Sequence, residues 1–172
     1  MSKVAVFVDY ANINCAARNA GLELNYADLL DYLVDGRQLQ EAFCYFPLDP
    51  RAPYARDAEI ENLWIQGYLV RSKTGSIAAD SYKCNCDVEM ALDMMHVAYT
   101  ARPDVIVLVS GDIDMIPVVI ALRHLGIRVE VAAFLDSAAR EMLLKSSSFT
   151  DLDSYFEHLT DCTAAELQSS EI

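Results

Sequence analysis

The chain has 172 residues, 53% of them hydrophobic and 23% charged, a balance that supports one well-formed core and excludes disordered and fibrous architectures. Asp and Glu outnumber Lys and Arg by 26 to 13, which leaves a formal charge of -13, the wrong sign for a domain that grips a phosphate backbone with its whole surface. The five cysteines, Cys15, Cys44, Cys84, Cys86 and Cys162, are too scattered for a disulfide framework and read as the reduced thiols of a cytoplasmic protein.

The first apolar run, Val4–Val8, is short and apolar on both alternating faces, the pattern of a strand buried inside a parallel sheet. It is too short for a signal segment, and no later stretch approaches the roughly 18 apolar residues of a membrane span. A helical period then covers Tyr26–Val34 and stops at Gly36. Ala42–Phe46 reads as a second strand, and Pro47–Pro53 as a surface loop. Apolar residues at i, i+3 and i+4 predict helices over Tyr54–Gln66, Val88–Tyr99 and Ile116–Leu125, with Gly67 and Gly126 as stops. Between the first two of these lie a weaker strand, Tyr68–Arg71, and a second loop from Lys73 to Ile77. Val105–Val109 and Ile127–Ala133 complete the strands. Strands alternating with helices predict an α/β fold, a three-layer α/β/α sandwich with a mainly parallel central sheet. No repeat or linker divides the chain, so residues 1–160 are expected to form a single domain and 161–172 a flexible tail.

In open α/β sheets ligands bind beyond the carboxyl ends of the strands. Asp9 ends the first strand, and Ser110-Gly111-Asp112-Ile113-Asp114 follows the Val105–Val109 strand. Two readings are open for each strand-end Asp: an N-cap of the next helix, or part of a shared acidic site. Asp87 is more informative. At about 100° per residue it falls on the same face as Met90, Ala91 and Met94, the inward face of its helix, whereas Glu89, Asp93 and His96 collect opposite and read as solvated. A carboxylate on an inward face loses hydration unless backbone N–H groups or a cation compensate. Asp9, Asp87 and Asp112, with Asp114 two residues on, therefore suggest an acidic cup for a divalent cation. Hard oxygen donors without a nearby histidine suit Mg²⁺ or Mn²⁺. Asn12, one helical turn past Asp9, could orient a water or phosphate oxygen, or be an ordinary early-helix polar residue.

The segments Val6-Phe-Val-Asp9-Tyr-Ala-Asn12, Asp87-Val-Glu-Met-Ala-Leu-Asp-Met, Leu108-Val-Ser-Gly-Asp112-Ile-Asp114-Met-Ile-Pro-Val-Val and Phe149-Thr-Asp-Leu, with the helix Tyr26-Ala-Asp-Leu-Leu-Asp-Tyr-Leu, resemble the NYN domain of the LabA-like group within the PIN-like nuclease superfamily. The resemblance runs through most of the chain and implies a PIN-like (Rossmann-like) topology. It also implies metal-dependent ribonuclease activity, with Asp9, Asn12, Asp87, Asp112 and Asp114 at the active-site positions. The chain departs from the family at Lys83-Cys84-Asn85-Cys86, where members often carry Lys-Gly-Val, and at Ile113 and Met115, which replace Ser and Phe.

Other chemistries lack their residues. Cys84 and Cys86 have no second pair for zinc, and His96, His124 and His158 do not cluster. Met90, Met94 and Met95 read as packing against the sheet. No Gly-rich phosphate loop follows a strand, and position 11 of an aspartyl-phosphate Asp-x-Asp motif is Ala11. The expected function is a divalent-metal-dependent endoribonuclease acting on single-stranded RNA, with Asp9, Asp87, Asp112 and Asp114 as metal ligands. Between Asp49 and Lys83 five basic residues balance five acidic ones, so this segment is the least repulsive approach for RNA, and Lys73, Lys83 and Ser110 are the candidate substrate contacts. The alternative is a non-enzymatic regulatory interaction module that keeps the nuclease fold. Self-association or a protein partner is compatible with either, and the sequence locates no interface.

Overall fold

The computed structural model describes residues 1–78 and 81–158; the expected tail, 161–172, lies outside them. Strand β1 (Lys3–Asp9) passes directly into helix α1 (Tyr10–Asn19). Asp9 starts that helix by accepting the Asn12 N–H at 3.1 Å. Asn25 caps α2 (Tyr26–Val34), which ends in the left-handed pair Asp35 and Gly36. Strand β2 (Gln38–Leu48) is longer than the apolar run inside it, because pairing to β1 continues through the polar residues Gln38 to Glu41. It also takes in Pro47 and Leu48 from the predicted loop. Helix α3 (Asp57–Ile65) begins later than its apolar period.

The loop expected from Lys73 to Ile77 is instead structured. Lys73 and Thr74 extend β3 (Leu69–Thr74), and after Gly75 the chain forms an antiparallel hairpin, β4 (Ser76–Ala78) with β5 (Ser81–Lys83). Gly75 allows this: a side chain there would overlap the Tyr82 ring and the Lys83 carbonyl oxygen. Helix α4 (Asp87–Thr100), strand β6 (Val105–Val109), a 3-10 turn (Ile113–Met115), helix α5 (Ile116–His124) and strand β7 (Arg128–Ala133) follow close to expectation. Helix α6 (Arg140–Lys145) and strand β8 (Ser148–Asp151) were not predicted, being too short to show a period. Residues 152–158 are helical.

Six strands form one sheet in the order β3-β2-β1-β6-β7-β8, with every neighbouring pair parallel. Both faces are covered, which is why the central strands are apolar throughout. Val4, Val6 and Val8 pack beneath α1, α2, α3 and residues 152–158. Ala5 and Phe7 point to the other side, beneath α4, α5 and α6. The chain first winds from β1 outward to β3 and then returns to place β6 on the opposite side of β1. The reversal opens a crevice between the carboxyl ends of β1 and β6, where sheets of this kind bind ligands. Asp9 ends one of those strands and Ser110 follows the other.

Candidate functional site

Three carboxylates meet at the crevice. Asp87, Asp112 and Asp114 each offer one oxygen, and these oxygens lie within 4.8 Å of one another. Two local devices deliver them. Asp87 is the first residue of α4, its N–H held at 2.7 Å by the Asn85 side-chain carbonyl. Asp112 caps the 3-10 turn by accepting the Asp114 N–H at 3.0 Å, so placing one fixes the backbone of the other.

Asp9 stands beside this group and is tethered on both oxygens. One accepts the Asn12 N–H and the other the Ser110 hydroxyl at 3.3 Å. Ser110 is fully buried, and its hydroxyl oxygen also accepts the Asp112 N–H at 3.2 Å. It thus ties the Asp9 carboxylate to the Asp112 backbone from behind and is not among the cup's lining residues, whereas a substrate contact is expected of it from the sequence. The Asn12 side-chain carbonyl accepts the Gly111 N–H at 3.0 Å and so staples the start of α1 to the loop after β6. Its amide N–H groups are turned away from that bond.

Crowding and burial set the electrostatics. Burial raises the Asp9 carboxyl to about 6, the charges of Asp87 and Asp112 add to the rise, and the bonds from Asn12 and Ser110 oppose it. Asp87 is also raised, again chiefly by burial and further by Asp112 and Asp114. The Asp87 Oδ2 atom is buried and has no hydrogen-bond partner among the described residues. An unpaired buried carboxylate oxygen among like charges is unfavourable unless a cation meets it. A cluster of hard oxygen donors without imidazole or thiolate fits Mg²⁺ or Mn²⁺.

The cup has a volume of about 170 Å³ and is lined by Asp9, Asn12, Tyr45, Asn85, Asp87 and Asp112 among others. Cys84 and Cys86 also line it, at the entrance to α4; burial pushes the Cys86 thiol up to about 12, so it stays protonated. A trough of about 630 Å³ adjoins the cup, shares Ala11, Pro47, Cys84 and Asn85 with it, and is bordered by Lys73, Lys83, Thr74, Ser76 and Tyr82. Lys83 is exposed. Lys73 is held by Glu89 and by the Asn85 carbonyl oxygen, both at 2.7 Å. A larger cavity, about 720 Å³, lies beside Gly36, Arg37 and Glu130 and contains none of these carboxylates.

Two residues expected to be solvated are engaged: Glu89 by Lys73, and Asp93 by the Tyr45 hydroxyl at 2.8 Å and Arg71 at 3.5 Å. Asn85 was missed as a site residue, although an Asn two positions before a helix-opening Asp is a recognisable turn signal. Among the described residues no helix is long and apolar enough to cross a membrane.

The family model described as the NYN domain matches residues 3–153. A search of curated proteins finds no match. Among solved structures, a protein of unknown function from Vibrio parahaemolyticus RIMD 2210633, VPA0982, superposes with a TM-score of 0.73 at 21% identity, over 88% of this chain and 93% of that one. At that identity the likeness concerns the fold.

Proposed function

The chain belongs to the NYN domain family, whose fold is that of PIN-like nucleases, and from that premise we propose that it is a divalent-metal-dependent endoribonuclease of the LabA-like group, acting on single-stranded RNA in the cytoplasm. The observation that carries the reading is the convergence of Asp87, Asp112 and Asp114 around a buried, unpartnered Asp87 oxygen at the β1/β6 crevice.

Asp87, Asp112 and Asp114 hold Mg²⁺ or Mn²⁺, and Asp9 closes the acidic shell from β1. When bound, the ion supplies Lewis-acid stabilisation of the charge that develops on the phosphoryl group. Asp114, the most exposed of the three carboxylates, orients the attacking water and accepts its proton. The Asn12 amide N–H groups, turned away from Gly111, donate to a phosphate oxygen. Water attacks phosphorus, one P–O ester bond breaks, and the leaving oxygen takes a proton from solvent, which gives a phosphomonoester end and a hydroxyl end while Asp114 releases its proton to water. The trough beside the cup carries the flanking nucleotides, with Lys83 facing phosphate and Lys73 placed beside it through Glu89. Ser110 acts as a positioning residue behind Asp9 and Asp112.

Asp112→Asn removes one carboxylate while keeping the cap geometry. It is expected to lower Mn²⁺-dependent cleavage of a single-stranded RNA by about 100-fold or more. Unchanged cleavage by the purified variant would sink the assignment.

A second reading is favoured by charge: in a chain of -13, one of the two trough lysines is already engaged by Glu89. A regulatory interaction module would bind Mn²⁺ calorimetrically and turn over no RNA.

A further inference from the structure

The outward face of α4 is apolar. A helix lying on the outside of a layered sandwich ordinarily turns polar residues to water, yet Val88, Leu92 and Tyr99 are 67%, 66% and 61% exposed; Met95, which packs against the core as its sequence reading expects, is partly buried and lies at the edge of the same stripe. At about 100° per residue these four side chains fall within roughly 60° of one another, opposite the buried Met90, Met94 and Val97. Their spacing is four, three and four residues, the a/d pattern of a helix–helix seam. It is also palindromic: reversing the helix about the midpoint between Asp93 and Met94 exchanges Val88 with Tyr99 and Leu92 with Met95.

We propose that this stripe is the interface of a homodimer, in which α4 packs antiparallel against α4 of a second copy about a two-fold axis through that midpoint. Val88 then meets Tyr99 of the second copy, and Leu92 meets its Met95. A two-fold interface requires a self-complementary patch, which is what the palindrome provides.

Charge at the seam admits a second copy. Two chains of -13 repel through most of their surface, but the acids flanking the stripe are neutralised within each copy, Glu89 by Lys73 and Asp93 by Arg71. The opposite flank carries Ala91 and the buried Ala98, small enough for close approach, with Asp87 beyond them. The axis also sets Glu89 of one copy alongside His96 of the other, because both lie on one flank. Asp87 sits about 100° from Val88 on the wheel, toward the sheet, so pairing leaves both cups open at opposite ends of the interface. Only four side chains of each copy form the seam, one of them already partly buried, so the interface is small and the dimer is expected to be weak, dissociating at micromolar or higher concentration.

Sedimentation equilibrium of the full chain tests this. Between about 1 and 500 μM the weight-average mass should rise from 19.1 kDa toward twice that value. Leu92→Glu should weaken association by about 100-fold, and adding Met95→Lys in the same chain should restore it, since opposite charges then meet across the axis. A monomer at every concentration, as would be found if another segment or another protein covers the stripe, overturns the proposal. So does a dimer indifferent to Leu92→Glu, or a failure of the double variant to re-associate.

Discussion

Asp9 occupies an unusual position for a strand-end carboxylate, because it caps α1 and borders the acidic group at once. Its two candidate roles in the sequence, cap and cup, are not alternatives: the cap bond uses one oxygen and orients the other toward Ser110. The cap does not make its charge comfortable. With a folded value of about 6 against an ordinary 3.8, the native chain holds this proton more tightly than the unfolded chain does. The ionised form therefore costs stability. The penalty is absent below about pH 4, grows through the window to pH 6, and reaches at most about 2 to 3 kcal/mol above it. Asp9→Asn keeps a carbonyl oxygen for the Asn12 N–H. In chelator at pH 8 it should raise the melting temperature relative to the parent chain, and at pH 4 the difference should vanish; thermal unfolding at the two pH values checks this. Ser110 shows the opposite relation between sequence and role. Its place after β6 suggested a substrate contact, but alternation at the strand end turns it into the core, and only the folded sheet reveals that its hydroxyl joins Asp9 to the Asp112 backbone.

At the scale of elements, the long and strongly periodic segments were legible. Val4–Val8 and Val105–Val109 are buried on both faces as continuous apolar strands require, and the inward face read for Asp87 is the observed one. The β4–β5 hairpin was not legible, since its strands are three residues each and are polar enough to look like loop. Its two strands pair with each other, and the fold brings Tyr82, the Lys83 carbonyl oxygen and Cys84 so close to Gly75 that no Cβ fits there. Gly75→Ala should therefore force the hairpin away from β3, costing about 1 to 3 kcal/mol by chemical denaturation. Because the hairpin borders the trough, KM for RNA should rise more than kcat falls. The polar flank of α4 was read as solvated because wheel geometry knows only inward and outward. The edge strand β3 lies beside that flank and supplies Arg71 and Lys73 as partners.

For the whole molecule, the parallel sheet places the reversal of strand order at β1 and β6, and this decides where negative charge accumulates. Part of the overall excess of -13 is thereby concentrated where a cation would relieve it. Mn²⁺ should stabilise the folded chain, by about 2.7 kcal/mol when present at 100 times its dissociation constant. The gain should be larger at pH 8 than at pH 5, because protons on Asp9 and Asp87 compete with the ion; melting curves with and without Mn²⁺ at both values measure it.

The sequence by itself determined the fold class, the carboxyl-end location of the acidic residues and the inward face of Asp87, because these follow from periodicity and from strand and helix ends, which are local properties. Only the tertiary structure decided which carboxylates lie within one ion's reach, that Ser110 stands behind the site, and that, among the described residues, Asp87 Oδ2 has no partner and nothing covers the apolar stripe of α4. Each of these depends on the distance between residues far apart in the chain, and that distance is set by strand order and packing.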